Sequence, residues 1–246
     1  MSGPAPPAGM APALRVSGLS RSYGELEALH SLELELAPGE CVALIGHNGS
    51  GKTTAVRLIG GLLDPTGGDI EVGGLPVHGT GPAAMQARAD LALVPDAPML
   101  YSDLTVSEHL ELVALAHGVA GEDLDARIDA LLIRLGLEAR RDFRPGELSR
   151  GMRQKVMLAC ALIRPHRVLV LDEPVVGLDP ATQRTLRELL LEAKRDGVAV
   201  LLTTHQLAFA RGIADRAVVL ADGTVVEEGP YDTVIDGETV YERGLR

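Results

Sequence analysis

Short apolar runs alternate with turn signals over the first part of the chain, from Leu14 to about Gly74. Within it, residues 32–36 alternate leucine with glutamate, which is typical of a strand with one face on the core and the other in water. The next apolar run, residues 41–45, is continuous and indicates a strand buried on both faces. The pattern predicts that this part of the chain consists mainly of strands.

The middle of the chain, roughly residues 95–163, changes to helical spacing. Thr105 begins a capping box, Thr-Val-Ser-Glu, which predicts a helix from there to about His117. Apolar residues at i, i+4, i+7 and i+8 predict a second helix over residues 124–135. A third helix would begin at Ser149. We therefore expect a helical insert between the two strand-rich parts of the chain.

The strand pattern returns with a continuous apolar run at residues 168–171. A helix with Pro180 in its first turn follows, and then a second apolar run, residues 198–202. Continuous apolar strands separated by helices predict an α/β fold with a parallel sheet covered on both faces. Near the end, two further runs flank the pair 222–223, Asp-Gly, which predicts a hairpin.

The composition is typical of a globular protein and argues against one function class. Of the 246 residues, 46% are hydrophobic, which supports a sizeable core. The formal net charge is −11; because duplex binding normally needs a basic face, no nucleic-acid partner is expected. The two cysteines, Cys41 and Cys160, lie in a predicted strand and a predicted helix. We expect both to be reduced core residues, as in a cytosolic protein.

The domain prediction follows from the same patterns. Residues 1–12 contain four prolines and few groups that could pack, so we expect a disordered tail. Residues 13–246 are then a single folded domain. No run of about 18 apolar residues occurs, so the sequence predicts no membrane-spanning helix.

The most informative segment follows the buried strand at residues 41–45. It fits G-x-x-x-x-G-K-[ST], the phosphate-binding loop, with these residues: Gly46, His47, Asn48, Gly49, Ser50, Gly51, Lys52, Thr53 and Thr54. Glycines let successive N–H groups point at a phosphate, and the helix that follows adds its positive end. We expect Lys52 to reach the β- and γ-phosphates, Thr53 to ligate Mg²⁺, and Thr54 to bond near the α-phosphate or continue the helix. The segment predicts binding of a nucleoside triphosphate.

Two adjacent carboxylates, Asp172 and Glu173, follow the buried strand at residues 168–171. The carboxyl end of a strand is where open α/β sheets bind ligands. Alone, such a pair is often part of an exposed loop. Beside a phosphate-binding loop, Asp172 is expected to hold Mg²⁺, and Glu173 to polarise the water that attacks the γ-phosphate.

From about Leu14 to Pro230 the chain resembles the nucleotide-binding domain of ATP-binding cassette (ABC) proteins. Besides the phosphate-binding loop, the matching positions occur in the family's order: Tyr23, Val94-Pro95-Asp96, Leu148-Ser149-Arg150-Gly151-Met152, Asp172-Glu173, Gly177-Leu178-Asp179 and Thr204-His205. The resemblance implies a P-loop NTPase (RecA-like) fold: a parallel-sheet core, an antiparallel β subdomain and an inserted α-helical subdomain at about residues 96–163.

The resemblance also implies roles, with ATP and Mg²⁺ as cofactors. Tyr23 would stack on adenine, and His205 would contact the γ-phosphate. Ser149 and Gly151 would contact the γ-phosphate held by a second subunit, in a homodimer or in a heterodimer with another cassette. Taken without the family, Ser149 would be an ordinary N-cap and His205 a loop residue. Asp96 would join Thr53 and Asp172 around Mg²⁺.

Two motifs depart from the family's pattern, at three positions. The signature, usually Leu-Ser-Gly-Gly-Gln, has Arg150 and Met152 at its third and fifth places. Asp96 stands where most members have a glutamine that joins Mg²⁺ and the attacking water to the transmembrane partner. An aspartate keeps an oxygen ligand but shortens the reach and adds negative charge. Both departures resemble the branch of stand-alone cassette subunits that drive export.

The sequence thus predicts an ATPase subunit that powers a separate integral membrane permease. It would be cytoplasmic and peripheral, held at the inner face of the plasma membrane by that permease. Two alternatives stay open: a soluble ABC-type ATPase without transport, and a regulatory cassette that hydrolyses ATP weakly. The absence of heptad repeats and of a second cassette counts against the former. The presence of Glu173 and His205 counts against the latter, whereas Asp96 keeps it open.

Overall fold

The computed structural model describes residues 11–237. The predicted tail, residues 1–12, lies almost wholly outside the described residues, as does the last part of the predicted domain, residues 238–246. Within residues 11–237, no helix has the length and apolar character that crossing a membrane requires.

Ten strands form two sheets in the described part of the chain. Their bounds are β1 Leu14–Tyr23, β2 Leu26–Leu36, β3 Cys41–Ile45, β4 Gly67–Val72, β5 Leu75–Pro76, β6 Leu91–Val94, β7 Val168–Asp172, β8 Ala199–Thr203, β9 Arg216–Ala221 and β10 Thr224–Pro230. The larger sheet has the order β10-β9-β3-β8-β7-β6, and the smaller one β2-β1-β4-β5. Strands β9, β3, β8, β7 and β6 run parallel, and β10 is an antiparallel edge strand.

The helices cover and connect these sheets. Their bounds are α1 Lys52–Ile59, α2 Pro82–Ala89, α3 Val106–Ala116, α4 Leu124–Arg134, α5 Arg150–Leu162, α6 Pro180–Arg195, α7 Leu207–Ala210 and α8 Tyr231–Asp236. Two short 3₁₀ turns, Glu138–Arg140 and Pro145–Glu147, lie between α4 and α5. Helices α3, α4 and α5 all fall within the predicted helical insert.

The central parallel strands separate two hydrophobic cores. Every residue of β3, β7 and β8 is buried. Because successive strand residues point to opposite faces, Cys41, Ala43 and Ile45 pack in the core on the helical-insert side. Val42 and Leu44 pack in the other core, with the antiparallel sheet and α1. The continuous apolar runs of the sequence therefore reflect a sheet covered on both faces.

One face of the antiparallel sheet is exposed to solvent, as its alternating pattern predicts. In β2, Leu32, Leu34 and Leu36 are buried, whereas Glu33 and Glu35 are exposed. The expected α/β fold, with a parallel core, an antiparallel sheet and a helical insert, is confirmed.

Helix ends follow the local signals of the sequence. Thr105 caps α3: its hydroxyl accepts a hydrogen bond from the Glu108 amide, and the Glu108 carboxylate accepts one from the Thr105 amide. Ser149 caps α5, and Asp179 caps α6 by accepting from two backbone amides. Gly136, with φ +63°, follows α4 in the left-handed conformation that suits glycine.

Both cysteines are free and buried. Burial raises the pKa of Cys41 to about 12 and the pKa of Cys160 to about 12. They are core residues, as the sequence predicts.

The sequence patterns did not predict helix α2 or strand β6. Helix α2 has no side-chain N-cap and buries only Ala84 and Ala87. Strand β6 has four residues and is defined by its pairing with β7. Neither element has a strong local signal, so tertiary contacts decide both.

Replacing the α3 cap tests how much the local signal contributes. We expect Thr105→Ala to lower the free energy of unfolding by about 1 kcal/mol, because the Glu108 amide loses its acceptor. Chemical denaturation measures the change. Thr105→Ser keeps the hydroxyl and is the matched control, expected to retain most of the stability. Equal stability of the Ala and Ser variants would contradict a capping role.

Candidate active site

Three loops meet where neighbouring parallel strands end. Strand β8 lies between β3 and β7, so the segments that follow them share one edge of the sheet. There they border a cleft of about 370 Å³. Its lining consists of Ala28, Asn48, Gly49, Gly51, Lys52, Thr53, Thr54, Asp96, Glu173, Val176 and His205. The fold thus brings together most of the residues predicted to bind a nucleotide or act on it.

The loop after β3 has the backbone conformation that a phosphate cradle needs. Gly49 and Gly51 have φ values of +87° and +104°, which side chains rarely tolerate. At Gly46 a Cβ atom would lie 2.2 Å from the Leu220 carbonyl oxygen and 2.3 Å from Ser50 Oγ. Helix α1 begins at Lys52, so its amino end faces the loop.

Lys52 fills the inside of this loop. Its Nζ donates to the carbonyl oxygens of Gly46 at 2.7 Å and His47 at 3.0 Å. The side chain is only 8% exposed. Burial lowers the pKa of Lys52, while the charges of Glu173 and Asp172 oppose that shift. The ammonium group is held by neutral carbonyls, so phosphate oxygens would be stronger partners for it.

Ser50 and His47 complete the loop. Ser50 Oγ is buried and has no hydrogen-bond partner among residues 11–237. His47 donates from Nδ1 to the carbonyl oxygen of Asn48 at 2.8 Å, and its Nε2 lies 3.6 Å from a carboxylate oxygen of Asp222. An unpartnered hydroxyl inside a curled loop suits an anion with several acceptor oxygens.

The carboxylates at the end of β7 differ in their surroundings. Asp172 is 2% exposed and accepts a hydrogen bond from Thr203 Oγ1 at 2.6 Å. Glu173 is half-buried with φ +49°, an uncommon backbone conformation for this residue type. Its Oε2 lies 2.8 Å from Nδ1 of His205 and accepts the His205 amide at 3.3 Å. Glu173 therefore faces the cleft beside His205.

These groups fit a divalent cation only together with a bound phosphate. Among residues 11–237, no cluster of three or more His, Cys, Asp or Glu side chains could hold a metal ion. Thr53 is exposed at the start of α1, and Asp96 and Asp172 supply carboxylates. Mg²⁺ commonly takes one or two carboxylates, a hydroxyl, water and substrate phosphates, which matches this donor set.

Besides Gly46, His47 and Ser50 of the loop itself, three predicted nucleotide contacts do not line the cleft. Tyr23 is exposed, and the Arg21 guanidinium lies 4.7 Å from the centre of its ring. Ser149 uses its hydroxyl to accept the Met152 amide. Gly151 packs against another loop: a Cβ atom there would lie 2.4 Å from the Gly177 carbonyl oxygen.

Two contacts near the site were not predicted from the sequence. Thr203 bonds to Asp172, and Arg150 Nη2 lies 3.2 Å from Oδ1 of Asp96. The position of Thr203 at the end of a predicted strand could have indicated its contact with Asp172, because neighbouring parallel strands place their last residues side by side. Asp96 and Arg150 are two of the three positions that depart from the family's pattern, but no local pattern predicts that they touch.

A phosphate-binding loop after β3 and a carboxylate pair after β7, with β8 between these strands in one parallel sheet, define a nucleoside triphosphatase of the P-loop class. The ABC transporter family profile matches residues 29–176, and the chain belongs to this family.

Individual relatives agree with this assignment. ABC-type transporter ATP-binding protein EcsA of Bacillus subtilis (strain 168) is 38% identical over 216 residues, which cover 88% of this chain and 86% of EcsA. SkfA peptide export ATP-binding protein SkfE of the same organism is 34% identical over 215 residues, 87% of this chain and 88% of SkfE. A solved ATP binding subunit of an ABC transporter superposes with a TM-score of 0.84 at 36% identity, covering 94% of this chain and 95% of the other. The chain is an ATP-binding subunit that hydrolyses ATP and powers a separate permease, as the resemblance implied.

The close approach of Gly151 to Gly177 generates a prediction. We expect Gly151→Ala to cost about 1–3 kcal/mol of stability, because the new methyl group must push the start of α5 away from the Gly177 carbonyl. The same shift should reduce ATP turnover. Thermal unfolding and phosphate release measure the two effects.

Gly146 offers a matched control in the preceding 3₁₀ turn, since a Cβ atom there meets nothing within 4 Å. Gly146→Ala should keep both stability and turnover. A Gly151→Ala protein as stable as the Gly146→Ala protein would contradict the steric argument.

Proposed function

We propose that this chain hydrolyses Mg²⁺-bound ATP in the described cleft, between two cassettes, to drive export through a membrane permease. The observation that carries the proposal is the cleft itself, in which Lys52, Thr53, Glu173 and His205 face one another across a sheet edge.

Each residue of the cleft has a role in this proposal. Lys52 exchanges its two carbonyl partners for oxygens of the β- and γ-phosphates. Thr53, Asp96 and Asp172 would hold the cation, which would neutralise charge on the phosphate oxygens. Amides of residues 46–51 and Thr54 surround the remaining phosphate oxygens.

Glu173 and His205 act on the water. Glu173 accepts the proton as the water oxygen bonds to the γ-phosphorus, and the bond to the β–γ bridging oxygen breaks to give ADP and phosphate. His205 contacts the γ-phosphate and, through Nδ1, keeps the Glu173 carboxylate in place. The 2.8 Å separation of the two side chains supports this pairing.

A second cassette completes the site. Ser149 and Gly151 lie at the amino end of α5, outside the cleft of their own chain. An exposed helix end with a capping serine suits the γ-phosphate of a neighbouring subunit. Tyr23, exposed at the end of β1, stacks on adenine after the Arg21 contact opens. The partner cassette is a second copy of this chain or a different one.

The permease meets the surface beside Asp96. Met99, Tyr101, Leu112 and Leu115 are exposed large apolar residues in the loop before α3 and on α3 itself. An exposed apolar surface of this kind suits a short helix of a membrane protein. The name of the relative SkfE refers to peptide export, which supports export here. The permease would hold the chain at the cytoplasmic face of the plasma membrane.

Removing the proposed base tests the mechanism. We expect Glu173→Gln to lower kcat by about 100-fold or more, because the amide cannot accept the proton of water. ATP binding should persist, and ATP should hold the protein as a dimer in size-exclusion chromatography with light scattering. Glu122→Gln, an exposed change in the helical region, is the control expected to resemble the unmodified protein. Full turnover in Glu173→Gln would refute the assignment of Glu173.

The Glu173→Gln variant also tests whether the partner is a membrane permease. Tagged Glu173→Gln protein, purified from detergent-solubilised membranes of its own cell with ATP present, should bring down a multi-span membrane protein in stoichiometric amount. Recovery with soluble partners alone would favour an ATPase without transport.

The proposed role of Asp96 toward the cation is tested separately. We expect Asp96→Asn to raise the Mg²⁺ concentration for half-maximal turnover by about 10-fold, because an amide oxygen is a weaker ligand than a carboxylate. Asp103→Asn, an exposed change in the same loop, is the control. If Asp96→Asn has an unchanged Mg²⁺ requirement, Asp96 is not a metal ligand, and its ion pair with Arg150 is its only supported contact.

A further inference from the structure

Thr203 lies behind the two carboxylates of the site. It is the last residue of β8, and its Cα is paired with that of Asp172, the last residue of β7. The residue is 0% exposed. Its hydroxyl is therefore a buried polar group placed directly beside the proposed metal ligand and the proposed base.

The hydrogen bonds of this hydroxyl have a fixed direction. Thr203 Oγ1 lies 3.0 Å from the Glu173 amide nitrogen and 2.6 Å from Asp172 Oδ1. A backbone amide can only donate, so the hydroxyl must accept from Glu173. Its own proton is then directed to Oδ1 of Asp172, which accepts it. The two hydrogen bonds form a chain from the Glu173 amide, through the Thr203 hydroxyl, to the Asp172 carboxylate.

This chain of bonds constrains both acidic residues. With Oδ1 engaged, Asp172 keeps its other oxygen, Oδ2, for a ligand; Oδ2 accepts no side-chain hydrogen bond within the described part of the protein. The Glu173 amide is also directed at the Thr203 carbonyl oxygen, at 3.2 Å. Two acceptors on one residue thus hold Glu173 in its left-handed backbone conformation, φ +49°. That conformation places the Glu173 side chain beside His205.

We propose that Thr203 is a positioning residue for ATP hydrolysis, which orients Asp172 toward the cation and Glu173 toward the attacking water. This inference rests on the proposed function. Thr203 does not line the cleft, and it acts only through the Asp172 carboxylate and the Glu173 backbone. A valine in its place would have nearly the same shape but would leave a buried oxygen of Asp172 without its donor.

The test compares Thr203→Val with Thr203→Ser. We expect Thr203→Val to lower kcat by about 10-fold to 100-fold, as loss of an outer-shell partner does at metal sites, while KM for ATP changes by about two-fold or less. Thr203→Ser keeps the hydroxyl and should recover kcat to within about three-fold of the unmodified protein. Rescue by serine separates the hydrogen bonds from the packing of the methyl group.

A binding measurement provides a readout besides turnover. Calorimetry with ATP in EDTA should give the same Kd for Thr203→Val and the unmodified protein. With Mg²⁺ present, the gain in ATP affinity should be smaller in Thr203→Val, because Asp172 is no longer held in place. A loss of affinity that is equal in EDTA and in Mg²⁺ would show general damage and overturn the inference.

Thr182 provides a matched control for the loss of a Thr–Asp hydrogen bond. It is buried, and its hydroxyl donates to Asp179 at 2.7 Å, at the start of α6. Thr182→Val should lose similar stability in thermal unfolding yet keep the Mg²⁺-dependent gain in ATP affinity. If Thr182→Val and Thr203→Val lose that gain equally, the inference fails.

The outcomes also separate this inference from the proposed function. An inactive Glu173→Gln protein together with an unimpaired Thr203→Val protein would overturn the role of Thr203 alone. Full turnover in Glu173→Gln would overturn the proposed mechanism, whatever Thr203→Val does. Equal defects in Thr203→Val and Thr203→Ser would assign the effect to packing and refute the hydrogen-bond argument.

Discussion

The structure depends on the need to cover a parallel sheet on both faces. Strands β3, β7 and β8 expose no residue, so their alternate side chains must pack into two separate cores. The helical insert and the later helices supply most of one cover, and the antiparallel sheet with α1 supplies most of the other. With both faces occupied, the edge where the strands end is left for function. The same constraint explains why the groups proposed to be catalytic come from loops far apart in sequence.

At that edge, polar groups are held by partners that suit their charge. Lys52 bonds to neutral carbonyls of its own loop, and Asp172 receives the proton of a buried hydroxyl. A buried charge without such partners would be costly, because the protein interior replaces water poorly. Phosphate oxygens and a cation would be stronger partners for these charges. In the proposed function, Lys52 and Asp172 would therefore take ligand atoms as partners.

Two of the three positions that depart from the family's pattern are in contact. Asp96 and Arg150 carry opposite charges at positions where most members have uncharged residues, and they form an ion pair. Both side chains are about half exposed, so the pair contributes about 1 kcal/mol or less to stability. Such a weak contact can exchange partners during a reaction cycle. The ion pair joins two parts of the protein. Asp96 lies in the loop before α3, beside the apolar surface proposed to contact the permease. Arg150 lies at the start of α5, which is proposed to contact the second cassette.

The sequence alone determined what depends on neighbouring residues. The phosphate-binding loop, the caps at Thr105 and Ser149, the buried strands and the alternating β2 were all predicted, because their signals lie within a few residues. The site residues drawn from separate motifs were grouped through the family's order, and the fold places most of them in one cleft. Only the tertiary structure decided the contacts of Thr203 with Asp172 and of Arg150 with Asp96, and the pairing that defines β6. These depend on strands and loops dozens of residues apart, and no local pattern encodes which side chains a folded sheet brings within hydrogen-bonding distance.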